Sequence, residues 1–159
     1  MRADENTIQE LLTGLINVFS ETACSSIEVL FSKSAQIKNT WSSNKHIEVD
    51  FQYVLIMGGA SDIFQSILTV GVDVDTIIEL TGHELKQSEF CDMFGELANT
   101  YCAMLMDRTE FTEHFGILNQ TVPVLYTKGI PFLPFISGVQ GTVSIGGKDI
   151  FIGFAIRNK

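Results

Sequence analysis

Two stretches of strict apolar alternation, each associated with a Gly-Gly pair, constrain this fold more than any other feature of the chain. From His46 onward, Ile47, Val49, Phe51, Tyr53, Leu55 and Met57 occupy every second position and lead to Gly58-Gly59. A period of two puts such side chains on one face of a strand. Residues 61–70 read as the return strand, so the pair predicts a hairpin. Near the C-terminus the runs 135–145 and 148–157 flank Gly146-Gly147, which predicts a second hairpin. The Gly pairs lie 88 residues apart.

Helical patterns precede both hairpins. Asn6 reads as an N-cap with Gln9 three residues on. Ile8, Leu11, Leu12, Leu15, Ile16 and Phe19 then recur at helical spacing, which predicts a helix over 7–22. Ile27, Val29 and Phe31 alternate and read as a short strand. Residues 39–44 read as a polar loop around Trp41. Asp73 is expected to cap a short helix ending at Gly82, and 87–107 reads as the longest helix. Phe111 and Phe115 require burial, and Pro123, Pro131 and Pro134 restrict the connector to the last hairpin. The pattern is a pseudo-duplicated α-ββ unit. It predicts an α+β fold with long helices packed on one broad, mainly antiparallel sheet, in a single domain over 1–159.

Composition narrows the function. The chain has 159 residues, with Lys plus Arg at 10 and Asp plus Glu at 19, for a net charge of −9. That balance argues against nucleic acid and anionic membrane as partners. No apolar stretch approaches the ~18 residues of a membrane span, and the N-terminus lacks the apolar core of a signal peptide. Cys24, Cys91 and Cys102 are odd in number and none form a C-x-x-C pair, which fits reduced thiols in a cytoplasm. His46, His83 and His114 are scattered, so no intrinsic metal is expected. A charge fraction of 18% and the apolar last run, Ile150, Ile152, Phe154 and Ile156, suggest a sheet edge that pairs in a homodimer.

The helix over 87–107 carries the chemistry. Phe90, Phe94, Leu97, Tyr101, Met104 and Leu105 cluster within about 60° on a helical wheel. Asp92, Glu96 and Asn99 fall on the far side of the same wheel. They therefore form a polar ridge opposite the apolar stripe, one above the other. Gly95 and Ala103 lie beside the ridge, where small residues let a partner surface approach.

The segment Asp92-x3-Glu96-x2-Asn99, with Pro123 downstream, resembles the signature of the CheC/CheX/FliY family of chemotaxis phosphatases. The order of elements along the whole chain is similar to CheX-like domains. The interval from Asn99 to Pro123 is longer by one position than in the family pattern. The resemblance implies a phosphatase acting on the aspartyl phosphate of a CheY-type receiver domain. On that reading Asn99 orients the attacking water and Glu96 anchors the partner by pairing with a lysine. Asp92, Gly95 and Ala103 would extend the contact, and Mg²⁺ would be supplied by the receiver. Shifting the motif back by 86 residues gives Asn6-x3-Glu10-x2-Thr13. Thr13 stands where the asparagine should be, so one active site per chain is expected. The alternative is a non-catalytic adaptor on the same fold that binds a receiver or a flagellar switch component. A small-molecule binding module is a third possibility.

Overall fold

The structure is a computed structural model that describes residues 4–120, 125–128, 132–133 and 137–159. Pro123, Pro131 and Pro134 lie outside the described residues. The order is α1 (Glu5–Gly14), α2 (Ile16–Phe31), β1 (Ala35–Ile37), β2 (Ser42–Asn44), β3 (Ile47–Glu48), β4 (Tyr53–Ala60), β5 (Phe64–Val72) and α3 (Val74–Thr81), then α4 (Gln87–Met106), α5 (Thr109–Phe115), β6 (Leu125–Lys128), β7 (Phe132–Leu133), β8 (Ser137–Ile145) and β9 (Lys148–Asn158). The main sheet runs β1-β8-β9-β5-β4-β6, with β2 also on β8, and every pairing is antiparallel. This is the α+β architecture expected from the sequence.

The duplication is visible in the strand order. Each hairpin, β4-β5 and β8-β9, contributes its second strand to the middle of the sheet. There the second strands of the two hairpins pair with each other over Phe64–Val72 and Ile150–Asn158, with Leu68 opposite Phe154 at the middle of the ladder. The short strands cross over: β1 joins the second hairpin and β6 joins the first. The Gly pairs are not equivalent. Gly146 and Gly147 form a turn with φ of 56° and 75°, values that favour glycine. Gly58 and Gly59 lie inside β4. The first hairpin instead turns at residues 61–63, where Ser61 Oγ accepts from the backbone N–H groups of Ile63 and Phe64 at 3.2 and 3.0 Å.

Four local expectations change. The first helix is capped by Asp4, not Asn6: the Asp4 carboxylate accepts from Thr7 N at 2.8 Å. After a break at Leu15, helix resumes and runs to Phe31, so Ile27, Val29 and Phe31 are helical. Phe19, Ala23 and Ile27 are fully buried at i, i+4 spacing while Val29 is 68% exposed. Thr22 and Ser26 bond back to carbonyls of their own helix, so neither hydroxyl needs the helix to end. The predicted strand over 46–57 is two pieces. Ile47, Val49 and Phe51 pack with Val54 and Phe151 in a small second cluster, whereas Tyr53, Leu55 and Met57 belong to the main core. A strict alternation cannot reveal that its two halves face different cores. Finally, the polar loop around Trp41 contains β2, and Trp41 Nε1 donates to the Thr142 carbonyl at 3.1 Å.

The final apolar run is not an edge. β9 is paired on both sides, by β5 and β8, which is why Ile150, Ile152, Phe154 and Ile156 are buried. Among the described residues, the outer strands of the main sheet are β1 and β2 on one side and β6 on the other, and β3 and β7 pair in a separate two-stranded sheet. Among the described residues, no helix is long and apolar enough to cross a membrane.

Candidate functional site

α4 is fixed by its inner face. Glu89 accepts from the Lys86 backbone N–H at 3.0 Å, which satisfies one donor left open at the helix start. Phe90, Phe94, Leu97, Ala98, Tyr101 and Leu105 are at most 1% exposed. Phe90 and Phe94 stack with centroids 4.7 Å apart, and Phe90 meets Tyr53 of β4 at 5.5 Å. Met104, expected on this stripe, is only half-buried and Ala98 takes a core position. Six locked side chains leave the helix little freedom to roll, so its outer face has a set orientation.

That outer face carries Asp92, Glu96 and Asn99, all exposed. Among the described residues, their side chains have no hydrogen bond or ion pair. Two carboxylates at i, i+4 repel by roughly 0.2–0.5 kcal/mol, and no described lysine or arginine pairs with them. Arg108, near the end of α4, is engaged with Glu21 and Glu110 instead. Ala103 is exposed beside the ridge. Gly95 differs from the expectation in that its backbone is buried, although a Cβ there would meet no atom within 4 Å.

Asn99 also borders a shallow open depression. Its other described lining residues are Cys102, Ala103, Met106, Leu118, Asn119 and Gln120. The last three come from the chain after α5; no periodicity in the sequence signals their approach to α4, and the downstream Pro123 of the motif is the one sequence feature near them. Burial pushes the Cys102 thiol up to about 11, against a lesser downward pull from its hydrogen bond with the Gln120 side chain. The ordinary thiol value is 9.0. Between these values the unfolded chain loses the proton first and so holds fewer protons than the native state. Stability therefore falls as pH rises from about 9 to about 11, and this thiol has no such effect at neutral pH. At pH 8 a thiol of this kind is about 0.1% thiolate. A disulfide reagent applied to the native protein at that pH should spare Cys102, while the denatured chain reports all three cysteines. Fast labelling of native Cys102 would contradict that upward shift. Cys24 and Cys91 are also shifted up, by burial first and then by Glu28 and Asp92 respectively.

The first-half copy of the motif lies on α1. Glu10 is exposed like Glu96. Thr13 is committed locally, its Oγ1 lying 2.8 Å from the Gln9 carbonyl and 3.0 Å from Ser43 Oγ. His46, His83 and His114 are exposed in separate parts of the fold. Among the described residues, no group of three or more His, Cys, Asp and Glu could hold a metal ion. Pro123 lies outside the described residues, so the structure does not relate it to Asn99.

No family model matches this sequence, and no curated protein matches it. Solved structures do. The chemotaxis protein CheX from Vibrio vulnificus is similar with a TM-score of 0.65 at 13% identity, over 91% of this chain and 99% of that one. A CheC-like superfamily protein from Shewanella sp. PV-4 is similar with a TM-score of 0.67 at 10% identity, over 90% and 97%. The CheX–CheY–BeF3–Mg complex from Borrelia burgdorferi is similar with a TM-score of 0.54 at 17% identity, over 89% and 97%. The chain thus has the fold of CheX and CheC-like proteins over nearly its whole length.

Proposed function

We propose that this chain is a CheX-like member of the CheC/CheX/FliY family and hydrolyses the aspartyl phosphate of a CheY-type receiver domain in the cytoplasm. The observation that carries this reading is the exposed ridge of Asp92, Glu96 and Asn99, without a side-chain partner among the described residues, on a helix whose opposite face is locked in the core, in a chain with the CheX fold. One similar structure is a CheX bound to CheY with BeF3 and Mg.

The residue types suit the task. Hydrolysis forms a bond from water oxygen to phosphorus and breaks the bond to the aspartyl oxygen, which leaves as a carboxylate. Such a transfer asks the protein mainly for positioning and electrostatics. The carboxamide of Asn99 both donates and accepts, so it can aim a water without bringing charge to the phosphoryl group. A carboxylate would repel that group, so Glu96 is suited to a cation beside it, a receiver lysine. Asp92 and Ala103 widen the contact, and open space over Gly95 lets a partner come close. The receiver supplies Mg²⁺.

The test is loss of phosphate from pre-phosphorylated receivers on addition of this protein. Glu96→Gln removes the charge and keeps the shape. It should raise KM by about tenfold, the scale of one charge-assisted contact, with a smaller effect on kcat. Equal kinetics for Glu96→Gln and the wild type would remove Glu96 from the contact. Receiver binding with no gain in phosphate loss would select the adaptor reading instead.

A further inference from the structure

The depression beside Asn99 has a second wall that the helix motif does not supply. Leu118, Asn119 and Gln120 form it, and two contacts hold it in place. Asn119 makes an isolated antiparallel bridge to the end of β4, with Ala60 N donating to Asn119 O at 2.7 Å and Asn119 N donating to Ala60 O at 2.8 Å. Leu118 N donates to Met106 Sδ at 3.2 Å. The approach to β4 is close: a Cβ on Gly59 would lie 3.2 Å from Asn119 O and 2.8 Å from Ser66 Oγ. Gly59 thus leaves room for Ser66 Oγ of the paired strand first and for the Asn119 backbone second.

The wall differs in charge from the ridge. Toward its N-terminal end the outer face of α4 presents Glu89, Asp92 and Glu96. Around the depression the described residues are Asn99, Cys102, Ala103 and Met106 on the helix, facing Leu118, Asn119 and Gln120. None of them carries a formal charge at neutral pH. An anionic group is repelled at the first place and can be met by carboxamide N–H donors at the second. Asn119 is exposed, and its bridge to Ala60 uses only its backbone, so its side chain remains available while its position is set.

Resting on the phosphatase reading above, we propose that Asn119 is a substrate-binding residue of this site. Its carboxamide meets the phosphorylated loop of the receiver at the neutral end of the site, so the phosphoryl group is received between Asn99 and Asn119. The carboxamide is neutral for the same reason as that of Asn99: a charge there would oppose the approach of the phosphate.

The experiment is steady-state hydrolysis by the full chain with a phosphorylated receiver, comparing wild type, Asn119→Asp and Asn119→Ala. Asn119→Asp should raise KM about tenfold or more, because like charges are brought together. Raising the salt concentration should shrink that penalty. Asn119→Ala should raise KM about two- to fivefold, the scale of one neutral hydrogen bond, with little dependence on salt. Both variants should melt with the wild type, since the bridge to Ala60 is made by backbone atoms. A merely structural role would move the melting temperature and would not separate Asp from Ala by salt. If the wild type hydrolyses phosphoreceiver and Asn119→Asp shows the wild-type KM, this inference fails and the phosphatase reading stands. If the wild type removes phosphate from no receiver, both fall.

Discussion

On the proposed function, Asn99→Ala is expected to lower the turnover of phosphorylated receiver by about 10²-fold or more, the cost of losing one preorganised polar group at a reacting centre, and to leave folding stability nearly unchanged. The second half of that expectation comes directly from the structure. Asn99 is exposed, it has no side-chain hydrogen bond among the described residues, and alanine is the better helix former. Surface changes of this kind stay within about 0.5 kcal/mol. Turnover under saturating receiver, measured beside a urea melt, separates the two effects. A variant with wild-type turnover would remove Asn99 from the reaction. A variant that loses activity only because it unfolds would show it in the melt.

Phe94→Ala inverts that outcome. Phe94 is on the same helix, five residues earlier, and is fully buried. Its ring stacks on Phe90 at 4.7 Å and lies 6.0 Å from Phe31 of α2. Truncation removes the buried ring and leaves a cavity between α4 and α2, because the neighbours are fixed by their own helices and by the sheet. Such a change costs about 3–5 kcal/mol. For a domain of this length, that corresponds to a fall of about 10 °C or more in Tm. Turnover of the fraction still folded should change far less than with Asn99→Ala. A loss under about 1 kcal/mol, well below that range, would mean that the contact between α2 and α4 is looser than the ring geometry shows.

The two variants also separate what each face of α4 made legible. Its inner face follows from apolar spacing because a helix buried on one side must repeat its apolar residues every three or four positions. Phe90, Phe94, Leu97, Tyr101 and Leu105 are all buried as the wheel places them, and Asp92, Glu96 and Asn99 emerge on the opposite side. Gly82 ends α3 in the left-handed conformation for a local reason of the same kind, whereas Asp73 stands at its start without a side-chain cap bond, its carboxylate accepting from Gln52 N instead. The elements that differ from expectation are those where two folds share one local pattern. The alternation Ile27-Val29-Phe31 is also compatible with a helix burying Ile27 and exposing Val29. The alternation from Ile47 to Met57 does not say that the chain bends near Gln52, whose N–H donates to Asp73 Oδ1 at 2.8 Å, and then enters a second core.

Gly58-Gly59 and the last apolar run obey a different rule from the one their local patterns suggest. Both are consistent with turn and edge chemistry in isolation. In the fold, Gly59 admits the backbone of Asn119, 60 positions later in the chain, and β9 is central because β5 reaches across from the other half. The sequence alone determined the duplicated α-ββ plan, the buried stripe of α4 and the ridge opposite it, since each depends on residues within a few turns of one another. Only the tertiary structure decided which strands meet at the centre of the sheet, and that Asn119 and Gln120 close in beside Asn99. Those are pairings between distant segments, set by which surfaces remain to be buried after the local elements have formed, and no local period encodes them.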